Sequence, residues 1–188
     1  MWNIFVRNGY ENTTLALILK ELSIPKGVFY HYFASKEECA DLCIEMRVNL
    51  CIGKMLDNDS LELSADQRLI RMMLFCVRFF HDDEQEDARM NAPDNAVFHQ
   101  KLMIALTRQL APVYSKMIAK GVEEQVFGTE FPLEAAEMII SLANFYLDAD
   151  LFRWEQEMMD KKILAFSDAM EKILGARKGT FHFIGSMR

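Results

Sequence analysis

The sequence has 188 residues, of which 51% are hydrophobic and 26% are charged, and this composition is typical of a folded globular protein and excludes a disordered chain. Glycine (8) and proline (4) are scarce whereas methionine (13) and phenylalanine (14) are plentiful, which favours an all-α fold. The formal net charge of −7, taken alone, argues against a nucleic-acid partner, because such binding depends largely on the neutralisation of phosphates.

Hydrophobic spacing and capping residues divide the chain into consecutive helices. Thr13 or Thr14 can cap the second of them, and the pairs Ser35 with Glu38 and Ser64 with Gln67 form capping boxes for two later ones. The predicted helices cover residues 2–6, 15–22, 25–31, 35–55, 64–81, 91–110, 113–127, 132–152 and 157–174.

Between and after these helices the sequence predicts four interruptions. Pro112 is expected to break or kink a helix, and the acidic segment 82–87 is expected to form a solvated loop that could at most bind a cation. Gly175 is expected to cap the last helix, and the tail 176–188 is expected to be loosely ordered.

Two short helices joined by a tight turn, at 15–22 and 25–31, form a candidate helix-turn-helix. The segments NGYENTT (8–14) and IPKGVFYHYFASKEE (24–38) resemble the tetracycline-repressor-type (TetR) family of bacterial regulators. The resemblance covers about residues 3–45, and the rest of the chain matches loosely through its helix count. It implies a helix-turn-helix DNA-binding domain at 1–46, an effector-binding and dimerisation domain at 47–175, and a C-terminal tail at 176–188.

The second motif helix has residues suited to the major groove, where the N-terminal residues of such a helix meet base edges. Gly27 would let the backbone approach DNA closely, Val28 could contact a thymine methyl group, and Lys26 can reach a phosphate or a guanine. Phe29 and Phe33 are interpreted as core anchors. The predicted DNA-binding residues are Thr14, Lys26, Gly27, Val28, Tyr30, His31, Tyr32 and Lys36. An aromatic cluster packed between helices is the alternative for residues 30–32.

The sequence departs from the family pattern at three places. Ser23 stands where the family usually has glycine in the turn, so a left-handed conformation there would be strained. Ala16 replaces a polar base-reading residue, so base contacts should come mainly from the second motif helix. Ile4 and Phe5 match the end of the family's first helix with little before them, so we expect a shortened first helix and weakened operator binding.

The resemblance also implies an effector pocket and a homodimer. A two-fold dimer would place its two recognition helices about 34–36 Å apart, one turn of DNA. Candidate pocket residues, for each of which core packing is the alternative, are Met72, Phe75, Cys76, Phe79, Phe98, Leu102, Tyr114, Met117 and Phe145. Asn144 or Asp148 could add a polar contact to the pocket. Candidate dimer-interface residues are Ile140, Asn144, Leu147, Ile163, Phe166 and Met170.

Cys39 and Cys43 are spaced i, i+4, which can hold a metal or a thiol reagent, but core packing is favoured because no second pair matches them. No set of residues has catalytic spacing, so we expect neither an enzyme nor a cofactor or metal site. The apolar stretches are too short to cross a bilayer and the cysteines are interpreted as reduced thiols, which together predict a cytoplasmic protein.

The sequence therefore predicts an all-α, homodimeric, ligand-responsive transcriptional regulator that binds double-stranded operator DNA. A small apolar or amphipathic effector would release it, as from a repressor. The alternative is a helical small-molecule-binding or interaction protein with weakened or lost DNA binding. Residues 1–54 contain six basic and six acidic side chains, so the charge of −7 lies entirely in the remainder and leaves DNA binding possible in the N-terminal part.

Overall fold

The computed structural model describes residues 1–182, which contain α-helices and one short 3-10 helix but no strand. The α-helices are α1 (Trp2–Asn8), α2 (Leu15–Leu22), α3 (Lys26–Tyr32), α4 (Lys36–Asp57), α5 (Ala65–His81), α6 (Glu84–Met90), α7 (Ala96–Glu123), α8 (Pro132–Tyr146), α9 (Ala149–Phe152) and α10 (Gln156–Leu174). The 3-10 helix, Pro93–Asn95, lies between α6 and α7. The all-α prediction is confirmed for this part of the chain. None of these helices combines the length and hydropathy needed to cross a membrane.

The helices form two compact units. The first consists of Met1–Gly53 and Val77–Ala105, and the second consists of Lys54–Cys76 and the described residues from Leu106 onward. The first unit thus contains the predicted DNA-binding domain together with Val77–Ala105, a segment that the sequence places in the effector-binding domain.

Two predicted caps set the starts of α2 and α4. The Leu17 amide donates to Thr14 Oγ1 at 3.2 Å, so Thr14 caps α2. At α4 the Glu38 amide donates to Ser35 Oγ at 3.1 Å, and the Glu38 carboxylate accepts a hydrogen bond from the Ala34 amide. The capping box predicted at Ser35 is therefore present, because each of its two side chains satisfies an amide at the helix start.

The acidic segment expected to be a loop forms most of α6 instead. Asp83 Oδ1 accepts from the Gln85 amide at 2.9 Å and from the Glu86 amide at 3.1 Å, which caps the helix. Glu84, Glu86 and Asp87 lie in the first turn, where their negative charge is favourable to the helix dipole. The loop prediction was wrong because these carboxylates stabilise a helix N-terminus.

Two further helix boundaries differ from the prediction. α7 continues through Pro112, so the helices predicted at 91–110 and 113–127 form a single helix. Pro112 and Arg108 are both exposed, so solvent can satisfy the carbonyl group that the proline leaves without its helical donor. The helix predicted at 132–152 divides into α8 and α9, because Asp148 Oδ1 accepts from the Leu151 amide at 2.8 Å and starts a new helix.

An aromatic cluster forms the core of the first unit. Phe98 lies at its centre, with ring centroids 5.3 Å from Trp2, 5.3 Å from Phe5 and 6.0 Å from Tyr10. Phe5 and Phe98 are fully buried. These contacts join α1 and the loop after it to the start of α7, although more than 80 residues separate them in sequence.

In the second unit, α8 packs against α10 and the chain after α10 folds back on itself. The Phe181 amide donates to the buried carboxylate of Glu171 at 3.2 Å, and the Phe181 ring stacks on Phe127 at a centroid distance of 6.3 Å. Phe181 is fully buried, so the expectation of loose order is wrong for residues 176–182. Residues 183–188 of the predicted tail lie outside the described residues.

Candidate nucleic-acid interface

The turn between α2 and α3 is built on a left-handed residue. Ser23 has φ 53° and ψ 39°, and its amide donates to the Lys20 carbonyl at 3.2 Å. The Ile24 amide donates to the Leu19 carbonyl at 3.1 Å, which closes the end of α2. The conformation at Ser23 is the one that the sequence predicted to be strained for a residue other than glycine.

Phe29 fixes α3 within the first unit. Its side chain is only 1% exposed, and its ring lies 5.2 Å from the half-buried ring of Phe33. Phe29 is therefore a core residue as predicted, and Phe33 packs on it from a half-buried position. With this face of α3 buried, the opposite face is presented to solvent in a fixed orientation.

The exposed face of α3 begins with three residues that suit a DNA groove. Lys26, Gly27 and Val28 occupy the first turn, and Val28 is 42% exposed although it is apolar. A methyl group added at Gly27 would meet nothing within 4 Å, so the backbone there is open to an approaching molecule. The Lys26 ammonium lies 5.7 Å from the Tyr30 ring centroid.

The end of α3 presents Tyr30, His31 and Tyr32 to solvent. Tyr32 is 68% exposed, and its ring meets His31 edge to face at 4.9 Å. Because all three side chains are exposed, packing between helices does not account for them. Their hydroxyl and imidazole groups are therefore available to hydrogen-bond with phosphates.

Lys36 has a partner within the protein. Its ammonium donates to the Tyr10 carbonyl at 3.0 Å and lies 4.3 Å from the centroid of the Tyr10 ring. This contact ties the start of α4 to the loop after α1. A DNA phosphate that contacts Lys36 would share the Lys36 ammonium group with the Tyr10 carbonyl. Thr14, by contrast, is exposed, and its hydroxyl hydrogen can still be donated.

The loop after α1 is held by residues from the middle of the sequence. Asn95 is fully buried; its Oδ1 accepts from the Tyr10 amide at 2.8 Å and its Nδ2 donates to the Val6 carbonyl at 3.0 Å. Gly9 has φ 82°, and a side chain there would lie 2.1 Å from Asp94 Oδ2. No local sequence pattern indicates this support, because its partners lie far apart in the chain.

Ion pairs reduce the positive charge that the helix-turn-helix offers to DNA. Arg7 in α1 pairs with Glu21 in α2 at 2.8 Å, and Arg47 in α4 pairs with Glu86 in α6 at 3.2 Å. Residues 1–54 already have no net charge. We therefore expect affinity for DNA of arbitrary sequence to be low, because that affinity is mostly electrostatic.

The predicted pocket residues are divided between the two units. The first unit contains Phe79, Phe98 and Leu102, and the second contains Met72, Phe75, Cys76, Tyr114, Met117 and Phe145. For Phe98 the ring contacts with Trp2, Phe5 and Tyr10 favour the alternative of core packing. Phe145 is 62% exposed and meets Phe152 edge to face at 5.0 Å.

Burial differs among the residues predicted for the dimer interface. Ile140, Phe166 and Met170 are buried within a single chain and have little surface left for a partner, whereas Asn144, Leu147 and Ile163 are half-buried. Exposed apolar side chains instead recur along α8 at i, i+4 and i+7. This surface, called here the α8 face, consists of Met138, Leu142 and Phe145.

Comparisons with known proteins match both parts of the chain. A family model described as "Bacterial regulatory proteins, tetR family" matches residues 2–43, and one described as "Tetracyclin repressor-like, C-terminal domain" matches residues 79–169. Among solved structures, a bacterial regulatory protein in the tetR family from Rhodococcus RHA1 superposes with a TM-score of 0.59 at 16% identity, over 94% of this chain and 94% of that chain. No curated protein matches the sequence.

Proposed function

We propose that this chain, which belongs to the tetR family of bacterial regulatory proteins and is a DNA-binding transcriptional regulator, is a ligand-responsive repressor. Two copies would bind a palindromic operator, each with α3 in the major groove. A small apolar or amphipathic effector would bind the C-terminal region. It would favour a dimer whose recognition helices no longer match the spacing of the grooves, and so release the DNA.

The observation that carries this proposal is the start of α3. Lys26, Gly27 and Val28 combine a cation, an open backbone and an exposed apolar side chain on one helix turn, and Phe29 anchors that turn from behind. In a major groove, the cation can pair with a phosphate or a guanine, and the apolar side chain can contact a thymine methyl group. The open backbone allows the helix to approach the bases closely. The combination of these three properties on one helix turn therefore supports binding of the turn to DNA.

The proposal is tested by selecting the sequences that the protein binds from random double-stranded DNA. The affinity of the protein for the enriched sequences is then measured at several salt concentrations. We expect an enriched palindrome with half-sites about one helical turn apart. Lys26→Ala should flatten the dependence of log K on log salt by about one unit, whereas Lys116→Ala, an exposed lysine of the second unit, should leave it unchanged. An unchanged slope for Lys26→Ala would remove Lys26 from the phosphate contacts.

The neutral charge of residues 1–54 favours one alternative, a helical interaction or small-molecule-binding protein whose DNA binding is weakened or lost. The same selection separates the two functions. Failure to enrich any sequence, by protein whose circular dichroism shows the full helical content, would support the alternative and overturn the repressor.

A further inference from the structure

Three sulfur atoms of the first unit lie together at the start of α4. The Cys39 thiol donates to Met1 Sδ, with the two sulfur atoms 3.0 Å apart. Cys43 follows one helical turn later on the same face of α4, which makes its side chain a neighbour of Cys39. No disulfide joins them. The cluster of Met1, Cys39 and Cys43 is called here the sulfur cluster.

The sulfur cluster is closed on its inner side and accessible on its outer side. Cys39 is fully buried beside Ala40 and Ile44, which are also buried, whereas Met1 and Cys43 are half-buried. The neighbouring Cys43 and burial raise the pKa of the Cys39 thiol, whereas the neighbouring Cys39 lowers the pKa of Cys43. Cys43 is therefore the more accessible of the two thiols.

The donor set is soft and small. Zn²⁺ in proteins takes four ligands from cysteine, histidine and carboxylates, and the described residues contain no group of three such side chains that could hold a metal. Cys51 cannot complete the set, because it lies eight positions after Cys43 in the helix, a rise of about 12 Å. Two thiols and one thioether are instead the ligands that Cu(I) prefers.

We propose that the sulfur cluster is a binding site for a single Cu(I) ion. On binding, the thiols of Cys43 and Cys39 each release a proton to solvent, and both sulfurs and the Met1 thioether donate electron pairs to the metal. No electron is transferred, so no oxidant or reductant is needed. The bound ion would tie the residue preceding α1 to α4, and thereby stabilise the first unit against unfolding.

The site is tested on reduced protein under anaerobic conditions, with Cu(I) supplied from its coloured bicinchoninate complex. We expect the protein to withdraw one Cu(I) per chain and to unfold at a higher temperature with the metal than without it. X-ray absorption at the copper edge should show sulfur neighbours alone. Failure to withdraw copper from the chelator, or neighbours dominated by nitrogen and oxygen, overturns the proposal.

Variants assign the ligands. Cys43→Ser should weaken Cu(I) binding by more than the roughly 10–100-fold that loss of a supporting residue costs. Its matched control is Cys51→Ser on the same helix, which should bind like the wild type. Equal binding by both variants would overturn the site. Because Cys43 is half-buried, we expect Cys43→Ser to fold, and circular dichroism checks that it does. The test therefore does not depend on a variant of the buried Cys39, which could fail to fold.

Position 1 can be changed when the chain is expressed behind an N-terminal tag. Met1→Leu should weaken binding about tenfold and reduce the sulfur neighbours of copper from three to two. Retention of three sulfur neighbours in Met1→Leu would show that the thioether is not a ligand and would overturn the three-sulfur site. These measurements do not involve DNA, so their outcome is independent of the proposed repressor function.

Discussion

Ser23 adopts a conformation that costs an L-residue with a side chain roughly 1–2 kcal/mol relative to the right-handed region. We expect Ser23→Gly to stabilise the protein by about 1 kcal/mol. Glycine removes the cost of the left-handed conformation, and the higher conformational entropy of glycine in the unfolded chain offsets only part of this stabilisation. Urea unfolding measures the change. The control, Ser141→Gly in the exposed interior of α8, should destabilise by about 0.5 kcal/mol. A loss of stability in Ser23→Gly would contradict the strain assigned to this turn.

A substitution at Gly27 is expected to change protein stability and DNA affinity in opposite directions. The residue lies inside α3 and has open space around it, so Gly27→Ala should stabilise the helix by about 0.8 kcal/mol. The same methyl group would stand between the backbone and the floor of the groove, and operator affinity should fall by about tenfold, the equivalent of about 1.4 kcal/mol. Thermal unfolding and a gel-shift titration measure the two effects. Unchanged affinity would mean that α3 does not approach DNA at this position.

Residue-scale features were predictable where the signal is local. The cap of α2 was narrowed to Thr13 or Thr14, Ser23 was placed in the turn and Gly175 at the C-cap, and the structure assigns these roles to Thr14, Ser23 and Gly175. Asn95 was not identified, because its bond to the Tyr10 amide joins residues 85 positions apart. Nothing in the sequence around residue 95 indicates that its side chain is fully buried.

At the scale of elements, α6 shows how one signal can support two structures. A run of carboxylates is typical of a solvated loop, yet the same charges at a helix start are favourable to the dipole. We expect Asp83→Ala to destabilise the protein by about 1 kcal/mol, because the Gln85 and Glu86 amides lose their acceptor. Asp82→Ala, one residue before the cap, should have little effect in the same urea experiment. Equal effects of the two changes would contradict the cap.

Helix continuity was the least predictable property of the elements. Pro112 removes one backbone donor, which the sequence alone suggests will interrupt α7, but whether solvent reaches the freed carbonyl depends on the packing around it. The break between α8 and α9 depends on Asp148, which sequence reasoning treated as a polar contact for a pocket. The deciding factor is solvent exposure at Pro112 and a capping hydrogen bond at Asp148, and both are properties of the folded chain.

At the scale of the whole molecule, we propose that the α8 face is the surface that joins two copies. Phe145→Glu would place a charge on this face, and burying that charge in an interface without a partner is strongly unfavourable. We expect the variant to be monomeric at concentrations at which the wild type is dimeric, as measured by sedimentation equilibrium. Leu61→Glu is the control, since Leu61 is the most exposed large apolar residue among residues 1–182 and lies outside the helices. A dimer that persists in Phe145→Glu would place the interface elsewhere.

The contact between Glu171 and the segment after α10 determines where the chain can be shortened. The helical pattern ends at Gly175, which makes that residue the obvious place for an engineered terminus. Such a terminus would remove the Gly179 and Phe181 amides that donate to a buried carboxylate, at 2.8 and 3.2 Å, and would uncover the ring of Phe127. Purification tags and fusion partners are therefore better attached beyond residue 182 than at the end of α10.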